Sequence, residues 1–217
     1  MKITGVEPIL AGKRYLFLRL TTDSGLIGYG ECGAWGYQEA TALVLRQMGK
    51  MIEGMDPMRI EFIYNALSRN LHFRGSVIQS ALSGIDIALW DLKGKALGVP
   101  CYELLGGKTR DKIRVYASAR AQKGRSLIES AQQLLEKGFS AFRYTVTHPK
   151  NQDGRCGECF SALINRSVHT MEELRHAVGW DADISVEVHR GLRPAEAIEL
   201  GRSLRPYRPH FYEDPIR

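Results

Sequence analysis

Three side chains near the C-terminal end of this 217-residue chain have the types and spacing for joint chemistry. In "DISVEVH" (183–189), strand alternation sets Ile184, Val186 and Val188 on one face and Ser185, Glu187 and His189 on the other. A parallel strand covered on both faces reads as apolar throughout, so a polar face needs a reason. Here the polar residues gather at the strand's carboxyl end, where open α/β sheets and barrels build their sites. The next strand-like segment, "HFYEDP" (210–215), ends with Glu213 at the corresponding height. Adjacent strands lie about 4.8 Å apart, which makes Glu187 and Glu213 neighbours. Two such carboxylates repel unless they are protonated, bridged by a cation or spread apart in water. A hard ion such as Mg²⁺ resolves the repulsion with few protein ligands, its other positions going to water or substrate oxygens. His189, one step nearer the strand's mouth, is placed to protonate a leaving group or to take a proton. A plainer reading stands beside this one. Glu213 can be a solvated strand end before an Asp214-Pro215 turn, Glu187 can pair with Arg190 or Arg143, and His189 can be a hydrogen-bonded core histidine.

The elements that must position these groups fall into two grammars. Up to about residue 110, strand-like "KITGVEPIL", "YLFLRLTT" and "LIGYGE", with a hairpin signal at Asp23–Gly25, precede three helix-period stretches. These are "YQEATALVLRQMGKMI", "DPMRIEFIYNALSRNLHF" with Pro57 in its first turn, and "GSVIQSALSGIDIALWDLKGKALG". The third carries Ile78, Leu82, Ile85 and Leu89 at spacings of three and four, and closes at Gly98 with Pro100 beyond. After the Gly-rich, charged "GGKTRDK" (106–112), strands and helices alternate: "KIRVYAS", "SLIESAQQLLEKG", "SAFRYTV", "TMEELRHAVG", "DISVEVH", a helix over 194–204, and "HFYEDP". This alternation is the signature of a parallel α/β architecture. Residues 147–169 read as a long polar connection at the end where such proteins place active-site loops. The expected organisation is an α+β domain over 1–110 and an α/β domain over 111–217.

Composition narrows the classes further. A hydrophobic content of 44% is enough for a real core. The formal net charge of +6 comes from scattered Lys and Arg, without a nucleic-acid-reading motif, so no nucleic-acid partner is expected. The N-terminus alternates like a strand and no stretch reaches the length of a membrane span, so a cytoplasmic protein without a membrane partner is expected. Four cysteines give no disulfide framework. Cys156 and Cys159, in "CGEC", supply only two of the four ligands that a structural zinc takes, and read as incidental thiols in a loop.

Four stretches, "TTDSGLIGYGE", "SALSGIDIALWDLKGKALGVPCYELLGG", "VEVHRG" and "FYEDP", resemble the enolase superfamily, in its mandelate racemase and muconate lactonizing enzyme branch, in order and spacing. The resemblance implies an α+β capping domain followed by the first half, about four strands, of a TIM-type (β/α) barrel. It implies abstraction of the proton α to a carboxylate, with the enediolate stabilised on Mg²⁺, because a preorganised cation favours that charge over the ground state's. Carried over by position, Glu187 and Glu213 are metal ligands, and His189 is the general acid that expels a β-hydroxyl as water in the acid-sugar dehydratases of this branch. Racemases and lactonizing enzymes place a Lys-x-Lys pair on the second barrel strand. Here those positions hold Arg143 and Thr145, neither of which is a base at neutral pH. Arg143 is expected to orient an anionic substrate or to form a structural ion pair, and Trp35 and Arg74 to line the substrate side from the capping domain.

The implied partner is a small sugar acid and the implied assembly a homo-oligomer; the alternatives are a racemase or epimerase of the same branch, or a non-catalytic truncated remnant. The sequence departs from the family pattern twice. Glu187 stands where aspartate is usual and is one methylene longer, so an ion would sit farther from the strand or the carboxylate would fold back. The sequence also stops at Arg217 after the fourth strand, before the third ligand and the base. A fragment, a truncated paralogue and an association of two copies would each account for that stop.

Overall fold

The chain divides into two units, Met1–Asp111 and Lys112–Arg217. The structure, a computed structural model, describes residues 1–33, 35–69, 72–146 and 157–216.

The first unit opens with an antiparallel sheet in the order β1 (Ile3–Ala11), β2 (Tyr15–Thr22), β3 (Ile27–Glu31). Alternation on β2 buries Leu16, Leu18 and Leu20 completely. Against them pack α1 (Gln38–Ile52), α2 (Ile60–Arg69) and the 22-residue α3 (Ser76–Leu97), which contribute Leu45, Met48, Ile63, Leu82, Ile85 and Leu89 to one apolar cluster. A short α4 (Cys101–Leu104) follows. As the spacing predicts, α3 ends at Gly98, whose left-handed φ of 69° lets its N–H reach back to the Gly94 and Lys95 carbonyls. Gly28 and Gly30 of β3 let α3 come unusually close: a β-carbon at either would overlap a helix carbonyl, that of Ala88 or Gly84. Pro57 corrects the expectation for the second helix. It lies in a turn before α2, with Asp56 accepting from the Met58 N–H through its side chain and from the Arg59 N–H through its carbonyl.

The second unit is a parallel sheet in the order β4 (Ala117–Ser118), β5 (Ala141–Thr145), β6 (Asp183–Glu187), β7 (Tyr212–Glu213). Its crossovers are α5 (Leu127–Glu136), α6 (Phe160–Val178) and α7 (Pro194–Leu204), the last followed by a 3₁₀ turn over Arg205–Tyr207. A capping box starts α5: Ser126 Oγ accepts from the Glu129 N–H and the Glu129 carboxylate from the Ser126 N–H. Phe142, Tyr144, Ile184, Val186 and Val188 bury against Met171, Leu174, Leu200 and Leu204 in a second apolar cluster.

Helix α6 begins at Phe160, ten residues before the helix expected from sequence, so the stretch read as connection over 147–169 is partly helical. Phe160, Leu163, Ile164, Ser167, Val168 and Met171 recur at helical spacing and face the core, while the polar residues between them face outward. Cys159 is exposed at the start of α6; Cys156 lies outside the described residues. One buried arginine ties this unit together. Arg175, 7% exposed, donates to the carbonyls of Gly179, Ala182, Tyr207 and Arg208, fastening the end of α6 to the starts of β6 and of the segment that leads to β7.

No helix among the described residues is long and apolar enough to cross a membrane.

Candidate active site

The sheet register places two polar rungs one above the other. Ser118, Arg143 and Ser185 pair across β4, β5 and β6; Thr145, Glu187 and Glu213 pair across β5, β6 and β7. All six belong to the alternation opposite to the residues buried against the helices. The expected meeting of Glu187 and Glu213 at the carboxyl ends of adjacent strands is what the backbone gives.

Between the carboxylates lies Arg143. Its Nη1 donates to Glu213 Oε1 at 2.8 Å and stands 3.5 Å from Glu187 Oε1, so one nitrogen bridges both. Nη2 reaches Ser118 Oγ at 3.5 Å, and the guanidinium lies 5.8 Å from the centre of the Tyr116 ring. Glu187 is engaged on both oxygens: Oε2 accepts from Thr145 Oγ1 at 2.9 Å, and Oε1 also contacts His189 Nδ1 at 3.2 Å. The side chains of Arg143, Glu187 and Glu213 are 19%, 12% and 28% exposed, whereas that of His189 is 60% exposed. The three charges are thus partly desolvated, where attraction and repulsion both exceed their values in bulk water.

His189 reaches Glu187 by a route that strand alternation does not describe. Strand β6 ends at Glu187, and His189 and Arg190 adopt left-handed φ values of 53° and 61°. Asp214, on the facing segment, has a φ of 44°. Non-glycine residues resist this conformation. It is held by backbone bonds from the Val188, Arg190 and Leu192 N–H groups to the carbonyls of Glu213, Asp214 and Pro215. The imidazole is therefore presented by a fixed turn, with Nδ1 on Glu187.

The remaining expected residues lie in the first unit. Trp35 is exposed, with the Arg14 guanidinium 4.7 Å from its ring centre, and Arg74 is exposed just ahead of α3. Sequence reading missed Thr145 as a donor to Glu187, and it missed Ser118. It also missed Ser185, whose buried Oγ has no hydrogen-bond partner among the described residues. The signal was present in the i, i+2 polar pair Arg143/Thr145, which repeats that of Ser185/Glu187 on the neighbouring strand.

The donor chemistry fits a small hard cation. Two carboxylates against one guanidinium leave a net negative charge, and carboxylate oxygens on adjacent strands suit Mg²⁺ as a partial ligand set completed by water or substrate. Among the described residues no cluster of three His, Cys, Asp or Glu ligands forms.

Comparison with known proteins gives the family. Residues 9–106 match the N-terminal domain of mandelate racemase / muconate lactonizing enzyme, and residues 126–217 match the enolase C-terminal domain-like family. The chain belongs to the mandelate racemase/muconate lactonizing enzyme branch of the enolase superfamily. It is 33% identical over 221 residues to a D-galactonate dehydratase of Variovorax paradoxus and 34% identical over 217 residues to one of Pectobacterium atrosepticum. Each match covers 100% of this chain and 56% of the relative, so the chain spans about half the length of the curated relatives it matches. Among solved structures, a member of the enolase superfamily from Salmonella Typhimurium superposes with a TM-score of 0.90 at 31% identity, over 100% of this chain and 61% of that one. An enolase from Agrobacterium radiobacter with Na and L-malate bound gives 0.87 at 32% identity, over 100% and 56%. The two units are thus the α+β domain and the start of the α/β barrel of this superfamily.

Proposed function

We propose that this chain supplies the carboxylate ligands and the general acid of an acid-sugar dehydratase. The observation that carries the reading is the imidazole of His189 hydrogen-bonded to Glu187 at the end of β6, beside a β5 strand that bears Arg143 and Thr145 instead of a basic lysine pair. With Nδ1 on the carboxylate, Nε2 is the nitrogen free to give a proton to a departing hydroxyl. In the reaction a base contributed by the other barrel strands takes the substrate's α-proton and the β C–O bond breaks, the hydroxyl leaving as water with the proton from His189. The resulting enol tautomerises to a 2-keto-3-deoxy acid. Thr145 fixes the Glu187 carboxylate, which keeps His189 oriented. Glu187 and Glu213 would hold Mg²⁺, which when bound stabilises negative charge developing on the substrate carboxylate.

The D-galactonate dehydratases among the relatives support the substrate class. The test joins these 217 residues to the remaining barrel sequence of the Pectobacterium enzyme. The fusion, checked for cooperative melting, is offered a panel of aldonic and aldaric acids with Mg²⁺, and 2-keto-3-deoxy product is measured. Dehydration of at least one acid is expected, falling by about 10²-fold or more in His189→Asn. No product from any acid, or undiminished turnover in His189→Asn, refutes the proposal.

A further inference from the structure

We propose that Arg143 and a divalent cation compete for the same two carboxylates, so that the guanidinium occupies the Glu187–Glu213 pair until an ion displaces it. The inference rests on the reading of that pair as metal ligands and concerns what the chain does before the ion arrives.

Three observations carry it. First, a single nitrogen, Arg143 Nη1, lies within ion-pair distance of one oxygen on each carboxylate, 2.8 and 3.5 Å, and so performs the bridging task that a bound cation would perform. Second, both carboxylates are mostly buried, and facing each other without a cation they would repel in a medium that screens poorly. Third, the guanidinium has somewhere to go. Ser118 Oγ and the Tyr116 ring already flank it on the side of β4, away from Glu213. Glu187 meanwhile keeps Thr145 and His189 when Arg143 leaves, so release does not dismantle the site.

Competition follows from the oxygens themselves. A hard ion ligated by Glu213 Oε1 takes the electron density to which Nη1 is bonded, and a divalent charge repels the guanidinium at contact distance. Arg143 is thereby a positioning residue that weakens ion binding. Once released it presents a planar set of donors matched to a carboxylate, the group that every sugar acid carries.

The experiment titrates the 217-residue chain with MgCl₂ by calorimetry, as wild type, Arg143→Ala and Arg143→Lys. Arg143→Ala is expected to bind Mg²⁺ about tenfold tighter or more, the scale of one charge-assisted hydrogen bond, with Arg143→Lys between the two. A purely structural role would not move the second readout. In wild-type chain labelled with ¹⁵N-arginine, saturating Mg²⁺ should turn the Arg143 guanidinium signals from protected to rapidly exchanging. Mg²⁺ affinity unchanged or weakened in Arg143→Ala, or Mg²⁺ binding that leaves the Arg143 signals unmoved, overturns the competition while leaving the metal-ligand reading intact. Absence of Mg²⁺ binding in all three chains overturns both. Should Arg143→Ala fail to fold, the wild-type arginine signals decide alone.

Discussion

Replacing Arg175 by methionine keeps the length and the apolar stem of the side chain and removes only its guanidinium. Four carbonyls, those of Gly179, Ala182, Tyr207 and Arg208, then lose a charged donor at 2.7 to 3.2 Å. Burial pulls the Arg175 pKa down, which Asp183 opposes and Arg208 reinforces. The desolvation already met in the native fold is offset because four of the five guanidinium N–H groups find a carbonyl acceptor. A hydrogen bond to a charged group contributes about 1.5–3 kcal/mol, and the four are not additive, so a loss of about 4 kcal/mol is expected. For a unit of roughly one hundred residues that corresponds to a drop of about 15–20 °C in Tm. Urea denaturation followed by tryptophan emission is the assay, since Trp180 lies 4.9 Å from the Arg175 guanidinium and is the sole tryptophan of residues 112–217. Arg175→Lys should recover only a minor part, because an ammonium lacks the fork that spans four acceptors. A loss below about 1 kcal/mol in Arg175→Met would show that the carbonyls rehydrate freely, and the clamp would cease to explain how β6 and β7 are aligned.

Other substitutions test the framework around the site. Gly30→Ala forces a β-carbon into the Gly84 carbonyl of α3, and the seam should open at a cost of about 3 kcal/mol or more, seen as a lowered urea midpoint. Ser126→Ala removes the capping box of α5 and should cost about 1 kcal/mol at neutral pH in the same denaturation assay. Asp86 has a raised pKa, from burial first and then from Glu61, so the folded state holds its proton more tightly than the unfolded chain. Stability contributed by that proton is present in acid and lost as pH rises through the raised pKa. Asp86→Asn should therefore melt higher than wild type at neutral pH and lose that advantage as the pH falls below the carboxyl range; an equal difference at both pH values contradicts the assignment.

What the sequence disclosed and what it concealed follow from the range of the interactions. Helix α3 was legible because Ile78, Leu82, Ile85 and Leu89 state their period locally and Gly98 marks the stop. The pairing of Glu187 with Glu213 was legible because each ends a short apolar strand in a parallel arrangement, which leaves little freedom of height. The choice between a bridging ion and an arginine partner was not, since Arg143 lies 70 residues from Glu213 and no local pattern states which rung of β5 meets which rung of β7. Of the two arginines considered for Glu187, the fold brings up Arg143. Thr145 was read only as a missing base, because its value lies in a hydroxyl aimed across 42 positions at Glu187. His189 contacts Glu187 by a route that alternation does not state: β6 ends at Glu187, and a left-handed turn brings the imidazole back to it. The first half of α6 was concealed because its polar residues were weighted by composition when their spacing carried the information.

The shared rung of Thr145, Glu187 and Glu213 bears on how such a site can change over evolutionary time. Substitution at any of the three exchanges one functional group for another at a fixed point in space. Inserting or deleting a single residue in β5, β6 or β7 instead turns the side chain from the site to the helix-covered face. At positions 145, 187 and 213 the side chain can thus be exchanged in place, whereas a change in strand length cannot be made without losing the rung.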